Sequence, residues 1–184
     1  MSWLLLILGV ALWWAAHLFK RVAPERRAAM GDKGKGPVAG VIALSILLMI
    51  FGHRGTEFIP VWNPPTFMVH INNLLMLIAI YMLSPAPKRG KLLQSVRHPM
   101  LTGFGIWATA HLLVNGDASS IVLFGGLLVW AVITPRIVNA ADGDWTPRTG
   151  GSYARDVMFL VASAVLVGII GSIHSLIGPW PFPS

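Results

Sequence analysis

An all-α fold is what this sequence predicts: a polytopic membrane helix bundle with six transmembrane helices and both termini non-cytoplasmic. Three observations carry the expectation. The first is composition. Of 184 residues, 55% are hydrophobic and only 11% are charged, with a mean hydropathy of +0.68. A soluble domain carries about 25% charged residues, and a small chain with half that share cannot cover its surface with polar groups. The second is the occurrence of six apolar runs, at residues 2–19, 37–52, 67–84, 100–114, 119–135 and 157–178. A helix needs about 20 such residues to cross the hydrocarbon core. The third is the placing of charge. Thirteen of the fourteen Lys and Arg fall in alternate connections, and only Arg54 falls in the other set. By the positive-inside rule the basic connections are cytoplasmic, which puts both termini outside and requires an even number of spans.

The elements follow in order. The first run, 2–19, carries His17 near its end, with Lys20 and Arg21 just beyond it. No basic residue precedes it, so it lacks the layout of a signal peptide. The second run is short and ends at Gly52, with His53 at its outer boundary. The third follows a Pro-rich outer connection, 58–66, that contains Pro60, Trp62, Pro64 and Pro65. The fourth starts near His98, because Pro99 suits the first turn of a helix. Asn115-Gly116-Asp117 makes a tight turn into the fifth run. Residues 142–151 are the one extended polar stretch, and they are cytoplasmic. No run alternates like a barrel strand. The chain reads as a single domain, 1–184, without an internal repeat. Trp3, Trp62 and Trp180 fall at the outer boundary as interfacial anchors. Ala164, Gly168 and Ser172 form a small-residue stripe that suits close helix packing. Such faces serve folding or association, which leaves the oligomeric state open.

The net charge of +7 is an orientation signal. By side it divides into +8 inside and −1 outside. A nucleic-acid role is therefore excluded, and the natural partner of the basic loops is the lipid bilayer with its anionic headgroups. Cysteine is absent, which removes disulfides, thiolate haem ligands and the usual iron–sulfur clusters. No Asp or Glu is expected inside any span, so imidazole is the main intramembrane chemical group.

The six histidines are His17, His53, His70, His98, His111 and His174. Neutral imidazole suits haem iron, zinc or copper. At 1.5 Å per residue, depth groups His70, His111 and His174 on the outer side, and His17 with His98 on the inner side. Gly103, Trp107, His111 and Asn115 recur at four-residue spacing and share one helical face. That face suits a slot for a flat ligand, with Asn115 orienting or accepting a hydrogen bond from His111. It equally suits a helix packed on its neighbours, with His111 bonded to a carbonyl. His70 pairs with Asn73 on a second polar face. Asn72 reads as interhelical glue, and His98 reads as a helix cap.

The stretch Arg97-His98-Pro99-Met100-Leu101-Thr102-Gly103, with Trp107, Ala110-His111-Leu112-Leu113 and Asn115-Gly116-Asp117, resembles the signature of the NnrU family. Leu123-Phe124-Gly125-Gly126, His17, and the Trp62–Pro65 segment ahead of His70 fit as well. The resemblance implies a multi-span protein of the bacterial inner (cytoplasmic) membrane linked to nitric oxide and nitrite metabolism in denitrifiers. It also implies kinship with the plant 15-cis-zeta-carotene isomerases, which are haem b enzymes with histidine ligands. His98 and Ala110-His111 match the isomerase pattern. The resemblance therefore gives haem b as cofactor, His111 as one ligand, and His17 as its partner; His70 is a third candidate by depth. Trp107, Asn115 and His98 would line the site. An enzyme of this kind is a cis–trans isomerase acting on a hydrophobic polyene or another lipophilic small molecule. A haem-based sensor or a maturation factor for nitrogen-oxide reduction is the non-enzymatic counterpart. Arg97-His98-Pro99 is also similar to the Arg-His-Pro motif of membrane isoprenylcysteine and phospholipid methyltransferases, which use S-adenosylmethionine. Their paired acidic motif has no match in Asn139–Asp144.

Overall fold

The computed structural model describes residues 1–183. Every apolar run is helical. The helices are α1 (Ser2–Val22), α2 (Pro24–Ala29), α3 (Lys35–Gly55), α4 (Met68–Leu83), α5 (Ala86–Arg89), α6 (Pro99–Val114), α7 (Ala118–Ser120), α8 (Gly126–Asp142) and α9 (Tyr153–Ile177). A 3-10 turn, Gly31–Gly34, leads into α3, and a π turn, Ile121–Gly125, joins α7 to α8 in one continuous helix. Among the described residues the only β-type pairing is an isolated bridge between Pro60 and Asp117. Four helical segments are long and apolar enough to cross a membrane: Ser2–Val22, Gly31–Gly55, Ala118–Asp142 and Tyr153–Ile177. α4 and α6 are shorter, at 16 residues each, or about 24 Å of helix. The outer faces suit lipid. On α9 alone Val157, Met158, Leu160, Val161, Val165, Ile169, Ile173 and Leu176 are exposed, a patch far larger than water-soluble surfaces carry.

The chain forms two compact units. One comprises residues 1–63 and 116–142, and the other comprises residues 64–115 with the chain from Gly143 onward. In the first unit α1 lies along α3, and two glycines permit the approach. A Cβ on Gly9 would stand 2.7 Å from the Met49 side chain and 2.9 Å from the Ser45 carbonyl. A Cβ on Gly52 would meet the Leu6 backbone. Trp14 Nε1–H donates to the Gly126 carbonyl at 3.1 Å, keying α1 to the start of α8. Arg21 forms a two-pronged ion pair with Asp142, at 2.7 and 3.2 Å. The Pro-rich connection is clamped to the Asn115–Asp117 turn, where the Val61 and Trp62 N–H groups donate to the Gly116 carbonyl.

In the second unit α4 packs on α6 and α9. A Cβ on Gly103 would lie 2.8 Å from Met82 Cβ, so this glycine sets the α4–α6 approach. Asn72 Nδ2–H donates to the Ala110 carbonyl at 2.8 Å, the interhelical bond expected of it. At the polar end, segment 143–152 lies against the α5 region. Arg148 N–H donates to the Gln94 carbonyl, and Ser152 N–H donates to the Arg89 carbonyl. Arg97 Nη2–H donates to the Gly143 carbonyl at 2.7 Å.

Several expectations need correcting. A carboxylate does lie inside a long apolar helix: α9 begins at Tyr153, not after Asp156, and Asp156 is only 3% exposed. It is tolerated because it accepts three hydrogen bonds. Tyr81 Oη donates at 2.6 Å, Lys91 N–H at 2.6 Å and Leu92 N–H at 3.2 Å. Helix α8 carries Pro135 internally and extends past the apolar run to Asp142, where the Arg21 pair fastens its end. Within its own unit the stripe of Ala164, Gly168 and Ser172 meets no neighbouring helix: Ala164 and Ser172 are exposed, and no heavy atom lies within 4 Å of a Cβ built on Gly168.

Candidate functional site

The α1 helix presents His17 one turn after Trp13, at i+4. The His17 Nδ1–Trp13 O distance is 2.9 Å. A carbonyl can only accept, so Nδ1 carries the proton and Nε2 keeps its lone pair. The ring is packed against Trp13, with centroids 4.0 Å apart, and it meets Trp130 of α8 edge-on at 4.9 Å. Trp13 and Trp130 contact each other at 5.4 Å in a T-shaped arrangement. Trp130 is buried, and it stands one turn beyond the π turn. Single π turns frequently accompany functional positions because the extra residue re-aims the side chains that follow.

The second unit repeats the local chemistry. His111 stands four residues after Trp107 on α6, and its Nδ1–H donates to the Trp107 carbonyl at 3.0 Å. The two rings lie 4.8 Å apart, and Phe104 backs Trp107 at 5.1 Å. The same tautomer follows, with the Nε2 lone pair kept. Both sites read Trp-x-x-Ala-His, as Trp13–His17 and Trp107–His111. This short repeat is visible in the sequence and was missed, because one copy lies at the end of its helix's first apolar run and the other lies deep in the fourth.

Asn115 does not act on the His111 imidazole as expected. It caps α6 with extended backbone, and its Nδ2–H turns back to the His111 carbonyl at 2.8 Å. Gly103 serves the α4 contact instead of a ligand slot. His98 occupies the N-cap position of α6 with Pro99 at N1, as the Pro signal requires, and its side chain makes no capping bond. Its carbonyl accepts from Thr102 N–H and Oγ1. His70 lies in the first turn of α4 and is exposed. His174 Nδ1–H donates to the Pro179 carbonyl at 3.0 Å. Among the described residues, no three His, Asp or Glu side chains converge as a metal cage.

His53, read from sequence only as a boundary histidine that meets water, belongs to a polar cluster. Asp117, 7% exposed, caps the helix that begins at Ala118. It accepts from Ser119 Oγ at 2.6 Å, Ser120 N–H at 2.9 Å and Ser120 Oγ at 2.6 Å. Because Ser119 gives its proton to Asp117, its oxygen accepts from His53 Nδ1–H at 3.0 Å. Burial pushes the Asp117 carboxyl up. The two hydroxyls, the Ser120 N–H and the His53 charge together more than offset that, and the group is held below its ordinary value.

The model of the NnrU protein family matches residues 5–181. The chain belongs to the NnrU family. Neither a curated protein nor a solved structure matches it. The family match spans both units and both Trp-x-x-Ala-His sites. The donor chemistry of these sites fits a haem. Each imidazole has its Nδ1–H on a main-chain carbonyl, the arrangement that orients a ligating histidine and raises its basicity, and each is flanked by a flat aromatic ring.

Proposed function

We propose that this NnrU-family chain is a six-span protein of the bacterial inner membrane that binds haem b through His111 and His17 and serves nitric oxide or nitrite metabolism. The observation that carries the reading is the repeated Trp-x-x-Ala-His geometry, which fixes the same tautomer and leaves a coordinating Nε2 at both positions. Pairing these two histidines rests on the family resemblance. With no cysteine in the chain, histidine is the natural axial ligand. α4 and α6 would complete the six spans by local bilayer adjustment to their shorter length.

A haem bound there would supply redox chemistry, with the isomerase-like possibility of cis–trans rotation about a double bond in a lipophilic polyene. The chain's own residues hold and shield it. The Trp13 and Trp107 carbonyls fix the imidazoles, Trp107 and Trp130 exclude water beside them, and Asn115 secures the last turn below His111. His70 and His98 are the secondary candidates.

The test is an absorption spectrum of protein purified in detergent after expression with a porphyrin precursor. A Soret band that is lost in His111→Ala and altered in His17→Ala supports the reading. A colourless protein with intact helix content refutes it. If the band survives His17→Ala unchanged and is lost in His70→Ala, the ligand pair is reassigned.

A further inference from the structure

At its basic end the first unit has a cleft of about 630 Å³, between the ends of α1 and α8 and the turn leading into α3. Four cations line it, Lys20, Arg21, Arg27 and Lys35, together with one carboxylate, Asp32. The floor is apolar, from Pro24, Ala28 and Ala141. Two of the cations are already engaged: Arg21 with Asp142, and Lys35 with Asp32 at 2.7 Å. The second pair is largely solvent-exposed and weak. Among the described residues Lys20 and Arg27 form no ion pair.

The wall of the cleft is preformed. Gly31 adopts a left-handed backbone, φ +52°, where a side chain is strained. That turn lets the Gly31 carbonyl accept from Arg27 Nη1–H at 3.0 Å, which holds the guanidinium in place with its remaining N–H groups free to donate. A Cβ on Gly34 would collide with Met30 Cβ and press on Arg27, so glycine is what lets the turn lie against the Arg27 side chain.

A fixed guanidinium, a lysine and an apolar floor match one chemistry: a phosphate ester carrying a hydrophobic tail. The position agrees. The cleft lies at the ends of three segments apolar enough to cross a membrane, and Val22 and Met30 are exposed beside it, where a glycerol and the first acyl carbons would rest. We propose that this cleft is a specific site for the phosphate of an anionic phospholipid headgroup. The proposal is independent of haem binding.

The full-length protein, delipidated in a neutral detergent, is titrated with phosphatidylglycerol or phosphatidylcholine and read by native mass spectrometry. One phosphatidylglycerol should bind in preference to phosphatidylcholine. A near-surface cation is worth about fivefold in attraction to an anionic lipid. Lys20→Gln, at an exposed side chain, should therefore lose about fivefold, and Lys20→Gln with Arg27→Gln about thirtyfold. Lys88→Gln, which removes a cation outside the cleft, should change nothing. The proposal is overturned if both lipids bind equally, if the Lys20 and Arg27 variants bind as well as the parent, or if Lys88→Gln loses as much as Lys20→Gln. It is also overturned if millimolar inorganic phosphate binds in the cleft and displaces the lipid, which would make this a site for free phosphate.

Discussion

The Asp156 cluster allows the sharpest test of the structure. Its carboxylate ties three pieces of the second unit together: Tyr81 near the end of α4, the Lys91–Leu92 backbone, and the first turn of α9. Hydrogen bonds to a charged group contribute about 1.5–3 kcal/mol each. Two of these three are short, and the carboxylate is shielded. It stands in the first turn of its helix, close to the polar region, so the lower end of that range applies. Asp156→Ala should then cost about 3–4 kcal/mol, chiefly by leaving the Tyr81 hydroxyl and the Lys91 N–H without an acceptor. Asp156→Asn should cost about 1–2 kcal/mol, because its Oδ1 can still accept from the backbone while Nδ2–H donates to a turned Tyr81 hydroxyl, without the charge. Tyr81→Phe should cost about 1.5 kcal/mol in the parent and close to nothing in the Asp156→Ala background. The assay is equilibrium unfolding in mixed micelles by an anionic detergent, followed by far-ultraviolet circular dichroism. A strictly additive double variant, or an Asp156→Ala protein within about 0.5 kcal/mol of the parent, would refute the assignment. Gly90→Ala is an independent probe, since its Cβ would collide with the Asp156 carboxylate.

Gly9→Leu should destabilise the α1–α3 pair by about 1–3 kcal/mol through overpacking, whereas Gly168→Leu, with open space around it, should stay within about 0.5 kcal/mol; the same micellar unfolding assay separates them. Asp117→Ala should cost about 1–2 kcal/mol as a lost N-cap. Because the folded Asp117 carboxyl lies below its ordinary value, its stabilisation is complete above the ordinary carboxylate range and is lost as pH falls through the lowered value. The parent should therefore lose more stability than Asp117→Ala on acidification, and parallel pH profiles would contradict this. The cysteine-free chain also permits a clean topology measurement: Lys33→Cys should react with an impermeant thiol reagent only after the membrane is opened, and Glu57→Cys should react in intact cells.

What the sequence disclosed depended on how far each feature reaches along the chain. Helix positions are local matters of apolar composition and Pro placement, and α6 begins with His98 and Pro99 at the expected positions. The fifth apolar run ends at Pro135, yet the helix runs on to Asp142, because a proline removes only one donor and the residues beyond it and the Arg21–Asp142 pair continue the helix. The role of Asn72 was legible because an amide inside an apolar helix must find a partner, and the nearest partner is a carbonyl on the next helix. The roles of Asp156 and His53 were not legible. Their partners lie 64 to 75 residues away, and no spacing rule connects them. Asn115 and His111 were correctly linked, but the amide reached the main chain instead of the ring because the helix ends there and its last carbonyls need donors.

Where polar groups occur in each unit explains how so apolar a chain holds one structure. In lipid, apolar side chains gain little by leaving the solvent, so close packing and internal hydrogen bonds must specify the fold. The buried set agrees. Beside Leu6, Ala79, Ala108 and Ala110, it contains Ser45, Asn72, Asp117, Ser119, Ser120, Thr134 and Asp156. Glycines bring α1 against α3 and α4 against α6, while carboxylates fasten the helix ends: Asp117 the start of α7, Asp142 the end of α8, and Asp156 the start of α9. Between those fastened ends, His17 of α1 and His111 of α6 each have the Nδ1–H set on the carbonyl of a tryptophan one turn earlier. Two histidines held in the same tautomer, each with an aromatic ring nearby, would ligate through the opposite nitrogen under the proposed reading, and that is the physical reason for directing the spectroscopic test at those two positions first.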